Sequence, residues 1–496
     1  MDAATTARVV TPTADRGSGT RVSVSTVTLV LFAAVTLIGV AGVGGRLFAP
    51  VFVGMAAVAG LTAYYRAPTR YIAFVYALWF FTPWVRRMVD MRYGFQPASF
   101  VLMAPVVVTL IALLTLAYRA RELRGALMYP FAFTLVGVGY AYFVGVLQNG
   151  MLPATYALLT WIGPIAFGMH LILNWRIFPA LRKAFLDFLQ WAVPVLGAYG
   201  IYQVIVLPKW DRFWMIAADL GSIGPPVPFG FRAFGTMNSP GPYAVVLMMG
   251  ILFLLGTARR GMVLSLTLAF VSLLLTRVRS AWIAVAIGLV VVQLFGSLRR
   301  TVRNWVFVLL MAGLALPVLS LDVFRESIAA RLLSLTDLED DSSVRTRIML
   351  SQLAVQSIGL RAEGEGLGGT GGGTKLLRTG VEKQASIDNG FLEIFYVMGW
   401  PGGCLIMLGL IGQLLTLARF RDSRGDPFST SALATVWALL AVLLIGDIFS
   451  GSTGAVFWGA YGFACSAHAY NYSIGRGLRS QQLVREFGAQ LPTARA

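Results

Sequence analysis

The chain has 496 residues, 57% of them hydrophobic and 12% charged, with a formal net charge of +18. A water-soluble domain of that make-up would expose apolar surface far beyond what such domains carry, so the composition excludes one and requires an integral membrane protein. The charge excludes a nucleic-acid stripe, because most Lys and Arg sit in short links between apolar runs, the pattern of cytoplasmic loops.

Apolar stretches of about 17 to 25 residues, each able to cross a hydrocarbon layer of about 30 Å, recur from Ser25 to Asn471. The polar tail to Arg21 leads into the first of them without a small-residue cleavage site, so that run reads as a span and not as a removed signal. In chain order the spans are Ser25 to Gly44, Leu47 to Tyr65, Tyr71 to Val85, Ser99 to Tyr118, Tyr129 to Leu147, Ala154 to Leu173 and Phe185 to Leu207. Gly241 to Thr257, Gly261 to Leu275, Ala281 to Gly296, Asn304 to Leu321, Gly390 to Ala418, Ser431 to Phe449 and Ser452 to Asn471 follow.

Fourteen spans put both termini inside. The links at Arg66/Arg70, Arg119/Arg121/Arg124, Arg176/Arg182/Lys183, Arg259/Arg260, Arg299/Arg300/Arg303 and Arg419/Arg421/Arg424 then all fall inside, as the positive-inside rule requires. The expected organisation is a cytoplasmic tail (1–24), spans over 25–207, spans with basic outer links over 208–321, an outer loop over 322–389, spans over 390–471 and a cytoplasmic tail (472–496). Cys404 and Cys465 both lie inside spans, which points to neither a disulfide framework nor a cysteine metal site.

Four outer segments are basic against the rule: Arg86 to Gln96, Leu207 to Pro240, Arg277-Val-Arg279-Ser280, and the long loop from Asp322. Positive charge on the disfavoured side needs a cause, and the expected one is an anionic ligand, with lipid headgroups as the competing reading for Arg86, Arg87 and Arg92. Within Leu207 to Pro240, Trp210 and Trp214 read as interfacial belt residues, and Asn238-Ser239 before Pro240 as the cap of the next span, turned toward the same anion as Arg232. Arg277 and Arg279 stand at the membrane surface, where a guanidinium either snorkels to water or grips phosphate with two donors.

The long loop has three parts. Asp337 to Ser343 is a helix start capped by Ser342 or Ser343, and Val344 to Ile358 carries apolar residues at helical period, with Arg347 at the edge of that stripe and Arg345 farther round. Gly364-Glu-Gly-Leu-Gly-Gly369 matches a dinucleotide fingerprint only formally, lacking its strand, and reads as a flexible loop or a backbone nest for phosphate. At the exit, Asp388 and Glu393 lie about 140° apart around a helix and do not share a face; Asp447 is a third carboxylate, either functional or paired with an Arg.

Taken in order, Phe234-Gly-Thr-Met-Asn238, Arg279-Ser-Ala-Trp282, Ser343-Val-Arg-Thr-Arg347 with Gly364 to Gly371, and Asp388-Asn-Gly-Phe-Leu-Glu393 followed by Gly399-Trp-Pro-Gly402 resemble the O-antigen ligase and polymerase family of bacterial envelope enzymes. The resemblance covers Phe229 to Gly402. It implies an all-α polytopic inner-membrane protein with a long periplasmic loop, related to the lipid-carrier (GT-C) glycosyltransferases. It also implies transfer or polymerisation of a glycan carried on undecaprenyl pyrophosphate. Arg232, Arg279 and Arg347 look like the family's arginines, whose expected role is to bind the pyrophosphate and stabilise it as leaving group; Arg277 and Arg345 stand beside them as further pyrophosphate ligands.

Two positions depart from the family pattern. Val278 stands where the family often has Ser, and Asp388 stands where ligases that load lipid A carry a His. The chain's two histidines, His170 and His468, fall in or near the inner halves of spans, so the long loop has no His base, and the expected activity shifts from ligase toward polymerase of an O-antigen or exopolysaccharide repeat. The expected chemistry uses no cofactor or metal, with fixed guanidiniums stabilising the leaving group and Asp388 or Glu393 as base. The expected partners are the lipid-linked donor, a glycan or lipid acceptor, membrane lipids and other polysaccharide-assembly proteins, without nucleic acid. The alternatives are a ligase acting on lipid A-core and, from a different class, a transporter or flippase, which would place its charges at mid-membrane and repeat its halves.

Overall fold

The computed structural model describes residues 23–124, 128–219, 221–257, 261–295, 298–319, 351–352, 354–376, 387, 389–420 and 425–488. Every regular element among them is a helix: α1 (Val24–Val40), α2 (Phe48–Arg66), α3 (Pro68–Tyr93), α4 (Met103–Leu110), α5 (Leu113–Tyr118), α6 (Tyr129–Asn149), α7 (Met151–Leu173), α8 (Phe178–Val206), α9 (Lys209–Ala218), α10 (Pro240–Thr257), α11 (Met262–Leu275), α12 (Arg279–Leu294), α13 (Leu298–Leu319), α14 (Gly390–Ala418), α15 (Pro427–Leu443) and α16 (Gly451–Gly488), with short 3-10 turns between some of them. A helix occupies each predicted span, α4 and α5 together filling the fourth. Seven helical stretches are long and apolar enough to cross a membrane, and α1, α11, α12 and α15 are shorter apolar helices. The described residues are thus all-helical or link helices, as in a polytopic membrane protein.

Polar contacts sort the links into two groups. Arg119 donates to the Leu173 carbonyl at 2.5 Å, Arg182 pairs with Asp426 at 3.0 Å, and Arg300 donates to the Gly425 carbonyl at 3.1 Å. These contacts join links that the charge pattern assigned to one side. The links assigned to the other side also meet: Asn149 bonds the 365–367 backbone, Arg277 reaches Phe229, and Gly390 lies against the Gly446 carbonyl.

α3 runs past its predicted end at Val85 to Tyr93, because its last turns are buried and their charges are matched. Arg86 contacts Asp90 at 3.0 Å and donates to the Gln96 carbonyl at 2.6 Å. Arg87 lies 2.8 Å from Asp211, and both side chains are 0% exposed. The expectation that Arg86 and Arg87 meet lipid headgroups or an outer anion is corrected: their counter-ions are Asp90 and Asp211. Burial pushes the Asp211 carboxyl up, and the Arg87 guanidinium opposes the shift. Removing one partner of such a pair costs about 3–5 kcal/mol, because the other is left charged and dry.

α9 carries Asp211 and is an element the sequence reading lacked. It is amphipathic, burying Asp211, Trp214 and Met215. Trp214 is core and not interfacial belt, 2% exposed beneath Arg87, while the Trp210 indole donates to the Tyr199 hydroxyl at 2.8 Å.

The glycine-rich segment is a wedge and not a flexible loop. α14 bends at Gly399 (φ 62°, ψ −178°), and residues 362–367 enter there between α14 and α6. The amides of Glu365 and Gly366 donate to the Tyr396 and Val397 carbonyls, Leu367 to Ala141, and Trp400 to Ala362, each at 2.9 Å. From α6, Gln148 donates to the Gly364 carbonyl at 3.1 Å and Asn149 to that of Glu365 at 2.7 Å. Backbone meets backbone here: a Cβ on Gly364 would overlap Gly399, and one on Gly366 would overlap Gly145. Both have positive φ, +79° and +72°, which L side chains disfavour. The amides of 365–367 are spent on helix carbonyls, so the phosphate-nest reading fails for them.

Gly366→Ala is therefore expected to destabilise the detergent-solubilised protein by about 1–3 kcal/mol, from overpacking added to backbone strain. Gly139→Ala, whose Cβ meets open space, should leave the melting temperature unchanged.

Candidate active site

Where the wedge meets the helix ends, a cavity of about 480 Å³ opens. Its walls are α7 (Tyr156, Trp161), the start of α10 (Ser239, Pro242), the glycine segment (Thr370), the first turns of α14 (Glu393) and the α15–α16 link (Asp447, Ser450). Local sequence builds each wall. Asn389 caps α14, its side-chain oxygen accepting from the Leu392 amide at 3.1 Å, which sets Glu393 in the first turn on the cavity side. Gly368 packs on the Pro153–Ala154 backbone and Gly372 on Tyr156, so the glycines bring the chain close enough to close one side.

Asp447 has backbone and hydroxyl partners and, among the described residues, no ion pair with an Arg. Its oxygens accept from the Phe449 amide at 2.8 Å, the Ser450 amide at 3.2 Å and the Ser450 hydroxyl. It holds the turn that starts α16 while facing the cavity. The alternative of an Asp447–Arg pair is corrected on that ground.

The guanidiniums of Arg232 and Arg277 are fixed at one junction. The Ala233 amide donates to the Leu275 carbonyl at 3.0 Å, Arg232 Nε to the Thr276 carbonyl at 3.1 Å, and an Arg277 terminal nitrogen to the Phe229 carbonyl at 3.2 Å. Phe229 (φ 62°) and Arg277 (φ 52°) both sit in the left-handed region, a strained conformation for residues with side chains, and each lies in one of the two segments this contact joins. Arg279 opens α12, two residues on. The structure thus brings Arg232, Arg277 and Arg279 onto two segments tied together, and Ser239, farther along the Arg232 segment, reaches the cavity.

Arg345, Arg347 and Asp388 lie outside the described residues, as does the cap at Ser342 or Ser343. Of the predicted helix Val344 to Ile358, the described residues 351–352 and 354–358 are helical; Ala354 and Ile358 are buried and Val355, placed on that face from the sequence, is 54% exposed. His170 is bonded to the Thr115 hydroxyl at 2.7 Å and His468 stacks on Phe420, and neither lines the cavity.

Sequence reasoning missed Tyr156, Trp161 and Asn149 because nothing marks them apart from other span residues. Asp211 was findable: in Lys209-Trp-Asp-Arg-Phe-Trp-Met215 the buried positions 211, 214 and 215 have helical spacing.

No curated protein sequence matches the chain. A family model described as O-antigen ligase matches residues 264–407, a span that runs from α11 through Arg277, Arg279, the glycine wedge and Glu393 to the bend of α14, and leaves Arg232 outside. Over that segment the chain is similar to the O-antigen ligase family.

Proposed function

We propose that the protein is a glycosyltransferase polymerising undecaprenyl-pyrophosphate-linked repeat units at the periplasmic face of the inner membrane. The observation that carries this is the cavity at the matched segment, where carboxylates, hydroxyls and aromatic rings converge at the same end of the bundle as Arg232, Arg277 and Arg279. Tyr156 and Trp161 offer faces for a sugar ring, and Ser239, Thr370 and Ser450 offer partners for its hydroxyls. That is the lining for an acceptor glycan.

In the reaction an acceptor hydroxyl oxygen forms a bond to the anomeric carbon of the donor sugar. The bond from that carbon to the phosphate oxygen breaks, and the electron pair leaves with undecaprenyl pyrophosphate. The hydroxyl proton passes to a carboxylate, Glu393 or Asp388. Arg232, Arg277, Arg279, Arg345 and Arg347 are assigned to the departing pyrophosphate, whose growing charge fixed guanidiniums stabilise without reorganisation. A carboxylate base suits a chain whose histidines are engaged away from the cavity. All fourteen apolar segments are taken as crossings, with both termini cytoplasmic.

The ligase reading is favoured by the description of the matched family and differs only in acceptor. Deletion of the gene separates the two: a polymerase defect leaves single repeats on the lipid carrier or its products, whereas a ligase defect leaves long lipid-linked chains with nothing to receive them. We expect single repeats, and accumulated long chains would refute the polymerase assignment.

Arg279→Ala and Arg347→Ala should each abolish high-molecular-weight polymer at unchanged protein level. Glu393→Gln should slow transfer about 100-fold if Glu393 is the base, the lower bound of what general base catalysis contributes. Polymer of normal length and amount in either arginine variant would sink the assignment of the leaving-group site.

A further inference from the structure

The segment that carries Arg232 is held from its other side by a group of residues outside the matched family segment. Arg87, from α3, donates to the carbonyls of Gly235 and Met237. Its guanidinium lies 4.8 Å from the centre of the Phe234 ring and 5.9 Å from that of Trp214, and it contacts Asp211 at 2.8 Å. Gln203 of α8 completes the frame. Its side-chain oxygen accepts from the amides of Phe234 (3.1 Å) and Gly235 (2.8 Å), while its nitrogen donates to Asp211 (2.7 Å) and the Gly235 carbonyl (3.2 Å). The Thr236 hydroxyl donates to the Phe80 carbonyl at 2.6 Å.

From this geometry we infer that Arg87, Asp211 and Gln203 are positioning residues, a buried clamp that sets Arg232 for its pyrophosphate ligand. The inference rests on the reading of Arg232 given above. A turn such as 233–237 has few intrinsic hydrogen bonds, and its register on α3 and α8 would otherwise be loose. Here its amides and carbonyls meet partners of fixed position on two helices, Arg87 of α3 and Gln203 of α8, both braced by Asp211 of α9. On the other flank, Arg232 Nε and the Ala233 amide bond the 275–276 backbone. A guanidinium held between two such anchors needs no reorganisation when the anion arrives.

A buried ion pair is not needed for stability as such, since an apolar pair of similar volume often serves equally well. Stability and positioning are therefore separable in Arg87→Met/Asp211→Leu, which removes the desolvated charges together and deletes the bonds to Gly235 and Met237. Full-length protein is reconstituted in phosphatidylethanolamine/phosphatidylglycerol vesicles with the undecaprenyl-pyrophosphate-linked repeat as substrate and inorganic pyrophosphate as competitor. The double variant is expected to raise the donor KM and the pyrophosphate inhibition constant together, at least tenfold, relative to wild type. A purely structural role would lower the amount of active enzyme, hence the apparent kcat, and leave both constants unchanged; that result overturns the clamp. Gln203→Met keeps the ion pair and loses the amide contacts, and it decides the question by the same two constants if the double variant does not fold. Arg232→Ala separates the levels. Wild-type constants in Arg232→Ala overturn the reading of the site and this inference with it, whereas an impaired Arg232→Ala beside a normal double variant overturns the clamp alone.

Discussion

The approach of backbone to backbone at Gly145, Gly364, Gly366 and Gly399 is the constraint on which the site depends. Two helices and an inserted segment come together with no side chains between them, and the amides that such contact would strand are satisfied by carbonyls exposed at the Gly399 bend and along α6. In a membrane protein an unsatisfied backbone group is expensive, so the bend and the wedge require each other. The bend exposes the Tyr396 and Val397 carbonyls, and the wedge consumes them. What remains beside them is the cavity wall, with Glu393 nearly two turns before the bend on the same helix.

Charge follows from the same solvent. At the arginine-rich end links hold one another through carbonyls and a few ion pairs. At the opposite end basic segments stand against the topology rule, and among the described residues their arginines are held in two ways. Arg86 and Arg87 are neutralised within the fold by Asp90 and Asp211, where Coulomb attraction in a dry interior offsets desolvation only because several hydrogen bonds add to it. Arg232 and Arg277 donate to main-chain carbonyls of a neighbouring segment, which fixes where each guanidinium stands.

Much of the fold was legible in the sequence, because hydrophobic length is set by the bilayer: a helix stands at each predicted span, and the loop charges group as the two ends do. The errors share a cause. α9, the burial of Trp214, the extension of α3 through Arg87 and the packing of the glycines all depend on contacts between segments far apart in the chain, such as Arg87 with Asp211 or Gly366 with Gly145. A glycine's freedom reads as flexibility until the neighbour that requires it is known. The site was legible in part: Arg232, Arg277 and Glu393 carried signals as charged groups beside apolar runs, while Tyr156 and Trp161 look like any other span residues. Asp447 was noticed for its charge, but its partners proved to be a hydroxyl and two amides.

On the proposed reading, the cavity receives the acceptor sugar, a carboxylate beside it takes the proton and the arginines meet the departing pyrophosphate. Reconstitution of the purified protein with undecaprenyl-pyrophosphate-linked repeat units as the only glycan, and with no lipid A-core, tests this most directly. The account predicts chains of increasing length on the carrier and one undecaprenyl pyrophosphate released for each linkage formed. Transfer that begins only when lipid A-core is added, or carrier that is never released, would contradict it.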